Sequence, residues 1–247
     1  MIRKKDSGIH ENRIKPALRE EVRHLELICN GTALQWTPKR LVIAGYTGKN
    51  QEAVKKHIDE LKELGIPAPP RVPMLFDLSP HLLQTASEIT VVRNDGSGEA
   101  EAVLLDVNGK WYVGLGSDHT DRVLEAVSIQ KSKEVCAKPV SKEVWALDNI
   151  LDHWDDIEVR SWVEKDGKEQ LYQSGTLGEF LHPSELMRIV RERRYDAAGM
   201  ALYCGTLPLH GDFVYGGTFR AEMTDRATGR RIELKYRTKL LKDAEEE

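Results

Sequence analysis

Between Gly98 and Arg122 the chain carries two apolar runs on either side of an Asn-Gly pair, with acidic residues near the outer end of each run. Ala102-Val103-Leu104-Leu105 reads as a buried strand, Asn108-Gly109 as a two-residue turn and Trp111-Tyr112-Val113 as the returning strand of a hairpin. Side chains two apart on a strand share one face, so Glu99 and Glu101 point the same way at the edge of the expected core. The return brings Asp118 back towards the start of the first strand. Three carboxylates meeting there need a counter-charge, because a buried anion without a partner is costly. A hard divalent cation held by oxygen ligands meets that need. Glu-x-Glu alone also reads as a solvated strand face, and Glu164-Lys165-Asp166 repeats the acidic spacing with no such company. Gly114-Leu115-Gly116-Ser117-Asp118 and then Arg122 set the first pair apart.

The length, 247 residues, suits one domain or two small ones, and a hydrophobic content of 40% is enough for a sizeable core. Thirty-six basic and 40 acidic residues give a net charge of −4, and no basic stripe interleaved with aromatics occurs, so nucleic acid is not an expected partner. The basic run Arg191–Arg194 reads as the exposed side of a helix. No signal peptide is visible behind Met1, and no run of 18 apolar residues predicts a membrane span. Cys29, Cys136 and Cys204 are far apart and odd in number, which predicts free thiols and a cytoplasmic location. No Cys/His spacing supports structural zinc.

Residues 1–40 are expected to form an N-terminal arm and a hairpin, Leu25–Cys29 and Thr32–Trp36 flanking Asn30-Gly31, ahead of a single catalytic domain over 41–247. Arg40–Ala44 reads as a buried strand. A helix follows, with Asn50 as its cap, Glu52 in its first turn, Val54, Ile58, Leu61 and Leu64 as its apolar stripe, and Gly65 and Pro67 as its stop. His57 and Glu60 are neighbours on that helix, a pair that also reads as a half-buried histidine beside a surface glutamate. Further strands are expected at Met74–Phe76, Glu88–Val92, Ile157–Glu164, Leu171-Tyr172, Gly199–Cys204, Phe213–Met223 and Ile232–Tyr236, with a turn at Asp95–Gly98. Short helices are expected over Val144–Trp154, after the capping-box pair Thr176 and Glu179, and over Ser184–Arg194. Val123–Ile129 is mixed and carries no clear element. Strands outnumber helices, and the helices do not alternate with them, which excludes a doubly wound or barrel pattern. The expected class is α+β and strand-rich, a mixed roll or sandwich with a few peripheral helices.

With these residues in view, the chain resembles the fumarylacetoacetate hydrolase family, and within it a remote, largely unassigned branch. The likeness runs from about Leu41 to Tyr236: His57-x-x-Glu60, a Pro-rich strand entry, Glu99-x-Glu101, Asp118-x-x-x-Arg122, a lysine segment at Gln130-Lys131-Ser132, and Gly205-Thr206 before a final hairpin. The resemblance implies that Glu99, Glu101 and Asp118 bind Mg²⁺ or Mn²⁺ and that Arg122 lies by the site. It further implies that Lys131 is the catalytic lysine, that Arg122, Gly205 and Thr206 bind the substrate, the threonine helping to hold its carboxylate, and that His57 and Glu60 activate water.

The implied activity is hydrolysis of a C–C bond in an acylpyruvate or 1,3-diketo acid through a metal-stabilised enolate, with the substrate chelating through two oxygens. Without an active water the same chemistry leads to a lyase: decarboxylation, dehydration or tautomerisation of a 2-oxo acid. A member that binds a small ligand without catalysis is the other alternative. The resemblance also implies a homodimer.

Overall fold

Asn30-Gly31 and Asn108-Gly109 both turn the chain with positive φ at each residue, 49° and 76° in the first pair, 55° and 83° in the second. That is the conformation a two-residue hairpin needs and that Asn-Gly adopts readily. The computed structural model describes residues 23–63, 68–165 and 167–244. The first turn joins β1 (Leu25–Cys29) to β2 (Thr32–Trp36), and Cys29 faces Thr32 across it. Next come β3 (Arg40–Gly45), helix α1 (Gln51–Glu63), β4 (Met74–Leu78), β5 (Leu83–Gln84), β6 (Glu88–Val92) and β7 (Gly96–Ser97). The second turn joins β8 (Ala100–Val107) to β9 (Lys110–Ser117). Then follow β10 (Thr120–Asp121), α2 (Arg122–Glu125), α3 (Ile129–Glu134), β11 (Lys138–Pro139) and β12 (Trp145–Ala146). The chain continues with β13 (Glu158–Lys165), β14 (Lys168–Thr176), α4 (Pro183–Glu192), β15 (Met200–Thr206), β16 (Thr218–Asp225) and β17 (Arg230–Leu241).

Two sheets carry the fold. One has six strands in the order β12-β9-β8-β15-β3-β4, the other five in the order β14-β13-β16-β17-β6. β15 runs parallel to β3 and antiparallel to β8, so a late strand lies at the centre of the first sheet. Ala102, Leu104, Val113, Leu115 and Leu202 pack on one face of that sheet with Val159, Tyr172, Phe219, Met223 and Tyr236 of the second sheet. Val103, Leu105, Ile43, Phe76 and Tyr203 pack on the opposite face, under Leu25, Leu27 and Trp36 of the first hairpin. With both faces covered, every residue of β8 is buried, which explains its unbroken apolar run. Glu101 shares its strand parity with Val103 and Leu105 and so stands on the hairpin-covered face, at the end of the strand.

Local signals hold where they are strong. Asn50 Oδ1 accepts from the N–H groups of Glu52 and Ala53 and caps α1. Thr176 and Glu179 form the reciprocal capping box of a 3₁₀ turn, Leu177–Glu179. The apolar stripe of α1 and its stop involve Leu61, Leu64, Gly65 and Pro67, which lie outside the described residues or side chains. Val144–Trp154 is not one helix but β12 followed by the 3₁₀ turns Leu147–Asn149 and Leu151–Asp156. Asp95–Gly98 is not a simple turn, because Gly96 and Ser97 pair with Asp121 and Thr120 as β7 and β10. Among the described residues, no helix is long and apolar enough to cross a membrane.

Candidate metal centre

The β8–β9 register places Ala100 opposite Ser117, and the Asp118 N–H donates to the Glu99 carbonyl at 3.0 Å. These bonds close the open end of the hairpin and bring its acidic residues together. Glu99, Glu101 and Asp118 each offer a carboxylate oxygen within 4.8 Å of the others. Glu101 and Asp118 are 3% and 1% exposed, so the cluster is not a solvated surface patch.

Each carboxylate is held by a protein donor. The Gly205 N–H donates to Glu101 Oε2 at 2.8 Å. Arg122 Nη2 lies 3.0 Å from Glu99 Oε1, while its Nε donates to Ser97 Oγ and its Nη1 to Glu125 Oε2. The Phe213 ring covers the same guanidinium at 4.4 Å. Lys133 Nζ meets Asp118 Oδ2 at 2.5 Å. Lys138 Nζ lies 3.5 Å from Asp118 Oδ1 and donates to the carbonyls of His119, Lys133 and Cys136.

Backbone positions are fixed from behind. Gln173, fully buried on β14, accepts from the Ala100 N–H and the Ser161 hydroxyl and donates to Thr206 Oγ1 and the Leu207 carbonyl. One amide thus ties the second sheet to the residue between the two glutamates. On the other side, Ser117 Oγ accepts from the Glu99 N–H at 3.2 Å and meets Tyr236 OH at 2.9 Å. Tyr236 OH in turn meets His119 Nδ1 at 3.0 Å. Gly98 leaves the room this needs, since a Cβ there would lie 2.5 Å from Tyr236 OH.

The charges divide unevenly. Burial would raise the Asp118 carboxyl, but Lys133 and Lys138 outweigh it and hold Asp118 below its ordinary value. Burial, then Asp118 and Glu99, push Glu101 well above its own, with the Gly205 N–H opposing less strongly. Burial, helped by Lys138 and Arg122, drives His119 down to about 3, so its ring is neutral. The protein's cations therefore answer Asp118 and Glu99 most directly, while Lys133 and the Gly205 N–H offset less at Glu101 than burial and its two acidic neighbours impose. Three hard oxygen donors, one of them without an ion pair among the described residues, fit a hard divalent cation.

The other predicted residues divide. Arg122 is at the trio. Gly205 reaches it through its backbone. The Thr206 hydroxyl is engaged within the protein, accepting from Gln173 and donating to the Ala100 carbonyl at 3.2 Å. Lys131 is exposed on α3 and away from the trio's contacts, and the lysine that meets Asp118 is Lys133, two residues on. At 100° per residue those positions face opposite sides of a helix, so only one of them can face Asp118. Lys138, also missed, left no local signal, because it joins the site from β11. Asp121 caps α2 through the Leu124 N–H. His57 and Glu60 lie on α1, but their side chains are outside those described. Cys204 is buried, and burial pushes its thiol up, which disfavours the thiolate.

A family model described as a protein of unknown function, DUF2848, matches residues 44–236. No curated protein matches the sequence significantly. Solved structures similar to this chain include a protein from Oleispira antarctica described as a candidate fumarylacetoacetate isomerase/hydrolase. It is 20% identical with a TM-score of 0.61, over 87% of this chain and 99% of that one. A fumarylacetoacetate hydrolase family protein from yeast is 16% identical, with a TM-score of 0.58 over 82% and 94% of the two chains. A 2-keto-3-deoxy-D-arabinonate dehydratase complexed with magnesium and 2,5-dioxopentanoate is 17% identical, with a TM-score of 0.59 over 85% and 77%. At such identities the likeness is one of fold, and the expected strand-rich α+β architecture is that fold.

Proposed function

The chain belongs to the DUF2848 family and is built on the fold of the fumarylacetoacetate hydrolases, and from that premise we propose that it is a divalent-cation-dependent enzyme acting on small oxo acids. Its reaction in this reading is hydrolysis of an acylpyruvate or related 1,3-diketo acid. Water and R–CO–CH₂–CO–COO⁻ give R–COOH and CH₃–CO–COO⁻: the bond between the acyl carbon and the methylene breaks, the acyl carbon gains hydroxyl and the methylene gains a proton. The observation that carries this is the convergence of Glu99, Glu101 and Asp118, two of them buried.

Glu99, Glu101 and Asp118 would hold Mg²⁺ or Mn²⁺, which when bound supplies Lewis-acid polarisation of the substrate's oxo oxygens. The remaining work falls to the chain's own groups. Lys133 keeps its proton, because the Asp118 charge overrides the effect of burial, and its ammonium is placed to stabilise negative charge developing beside the carboxylates. Arg122 acts as a positioning residue, since Glu99, Glu125 and Ser97 occupy its guanidinium. Gly205 orients Glu101 through its N–H. Proton removal from water is assigned to Glu60, oriented by His57, on the strength of the sequence resemblance. A homodimer is proposed on the same ground.

A lyase reading has one specific support. The similar dehydratase is described with magnesium and a dioxo acid bound, so its fold serves oxo-acid chemistry without a hydrolytic outcome. The two readings separate on the fate of water. Titration of the protein with Mn²⁺, followed by electron paramagnetic resonance, should show one tight site in the wild type and none in Glu101→Gln. Release of pyruvate from acetylpyruvate then supports hydrolysis, and water loss from a 3-deoxy-2-oxo acid supports the lyase. An absence of any Mn²⁺ site in the folded wild type would overturn both.

A further inference from the structure

A cleft of about 320 Å³ is lined by Tyr46, Met74, Glu125, Ala126, Val127 and Ile129, among others. One guanidinium links its lining to the carboxylates. Arg122 donates to Glu125, which lines the cleft, and its other terminal nitrogen lies 3.0 Å from Glu99. The Tyr46 phenol is raised by burial and by the Glu125 charge, while the Lys133 ammonium acts on it in the opposite sense, so this end of the cleft lies within the field of the site. Met74 follows the proline-rich connection, and its strand mate Phe76 lies under Lys133, with the ammonium 5.7 Å from the ring.

The chemistry of this wall is one-sided. Among the described residues its lining is apolar but for the hydroxyls of Tyr46 and Ser128 and the carboxylate of Glu125, with no lysine or arginine. Glu125 is already committed to Arg122. A carboxylate carried into the cleft would meet a like charge and lose its water with no cation in the described lining to replace it. An alkyl or aryl group would instead cover apolar surface next to the site.

We infer that this cleft receives the arm of the substrate remote from its oxo-acid head, and that the arm is uncharged and apolar, a short alkyl or single-ring acyl group. This rests on the oxo-acid reading above and deepens it. It separates this chain's substrate from diketo acids that end in a second carboxylate.

The test uses the Mn²⁺-loaded full-length protein. Calorimetry compares 2-oxooctanoate with 2-oxopimelate, which share the head and differ in the charge at the far end. Turnover compares hexanoylpyruvate with succinylpyruvate, and acetylpyruvate serves as the substrate with almost no arm. The apolar member of each pair should be favoured by about tenfold or more, as expected of a site that discriminates by desolvating a charge. Ala126→Arg, on the exposed rim, should narrow or reverse both ratios, and Val127→Lys supplies the same charge should the first variant fold poorly. Ala126→Trp should lower the hexanoyl-to-acetyl ratio by filling the cleft. If acetylpyruvate is split but the ratios are near one, or favour the dicarboxylate, the cleft assignment is overturned while the oxo-acid reading survives. If the oxo acids neither bind nor react, the oxo-acid reading fails and the cleft assignment falls with it.

Discussion

The backbone N–H of Gly205 points at the carboxylate of Glu101, 2.8 Å away and 104 positions earlier in the chain. Gly205 holds a φ of +110°, and a Cβ there would lie 1.9 Å from Thr47 Oγ1, which itself donates to the Cys204 carbonyl. Gly205→Ala must therefore bend the strand end that orients Glu101. The expected cost is about 1–3 kcal/mol of stability, together with weaker Mn²⁺ binding. Urea unfolding and a Mn²⁺ titration read the two effects separately.

Glu101 also sets a pH dependence. Burial and the two neighbouring charges hold its carboxyl well above the ordinary 4.5, so the folded, cation-free protein keeps a proton that the unfolded chain has released. That contribution favours folding at low pH and is lost as pH rises through the folded pKa. In chelator, the melting temperature of the wild type should fall relative to Glu101→Gln as pH is raised above about 4.5. Mg²⁺ or Mn²⁺ should close the gap for the wild type alone. Melting curves across pH that run parallel for the two proteins would count against the charge crowding described here.

Lys133 and Lys131 offer a paired comparison. Lys133→Met removes the cation from a buried carboxylate and should cost about 3–5 kcal/mol, the penalty for leaving one partner of a buried pair. Lys131→Met changes an exposed position and should stay within about 0.5 kcal/mol. Chemical denaturation of both variants decides between the two lysines. Lys133→Arg is the informative rescue, because it returns charge without the geometry.

Thiol labelling probes the core directly. Burial pushes the thiols of Cys136 and Cys204 up, Cys204 the further, and both are enclosed, whereas Cys29 is half-buried on the first hairpin. In native protein a disulfide reagent should modify Cys29 first and leave the other two until urea is added. Mass spectrometry after alkylation assigns the positions.

Much of this arrangement was legible in the sequence because it depends on neighbours in the chain. The two Asn-Gly turns set their own hairpin registers, and the second of these delivers Asp118 to Glu99. Asn50 and the Thr176–Glu179 box announce helix starts through side-chain chemistry that reaches only three residues. What escaped depends on distant partners. β7 and β10 are two residues each and exist because they meet one another. Lys133 and Lys138 reach Asp118 through the turn of α3 and the placement of β11. Gln173 is an ordinary polar residue in a strand until four separate groups, from Ala100 to Leu207, are seen to converge on its amide.

The parallel pairing of β15 with β3 sets an order on biosynthesis. A ribosome delivers Arg40–Gly45 long before Met200–Thr206, yet the two must lie side by side at the heart of one sheet. Until the late strand emerges, β3 and β8 each present an open edge, the kind of surface on which nascent chains aggregate. The sheet's centre therefore cannot close before the late strand is made, and a polypeptide stalled short of Met200 lacks both the seam and the amide that aims Glu101.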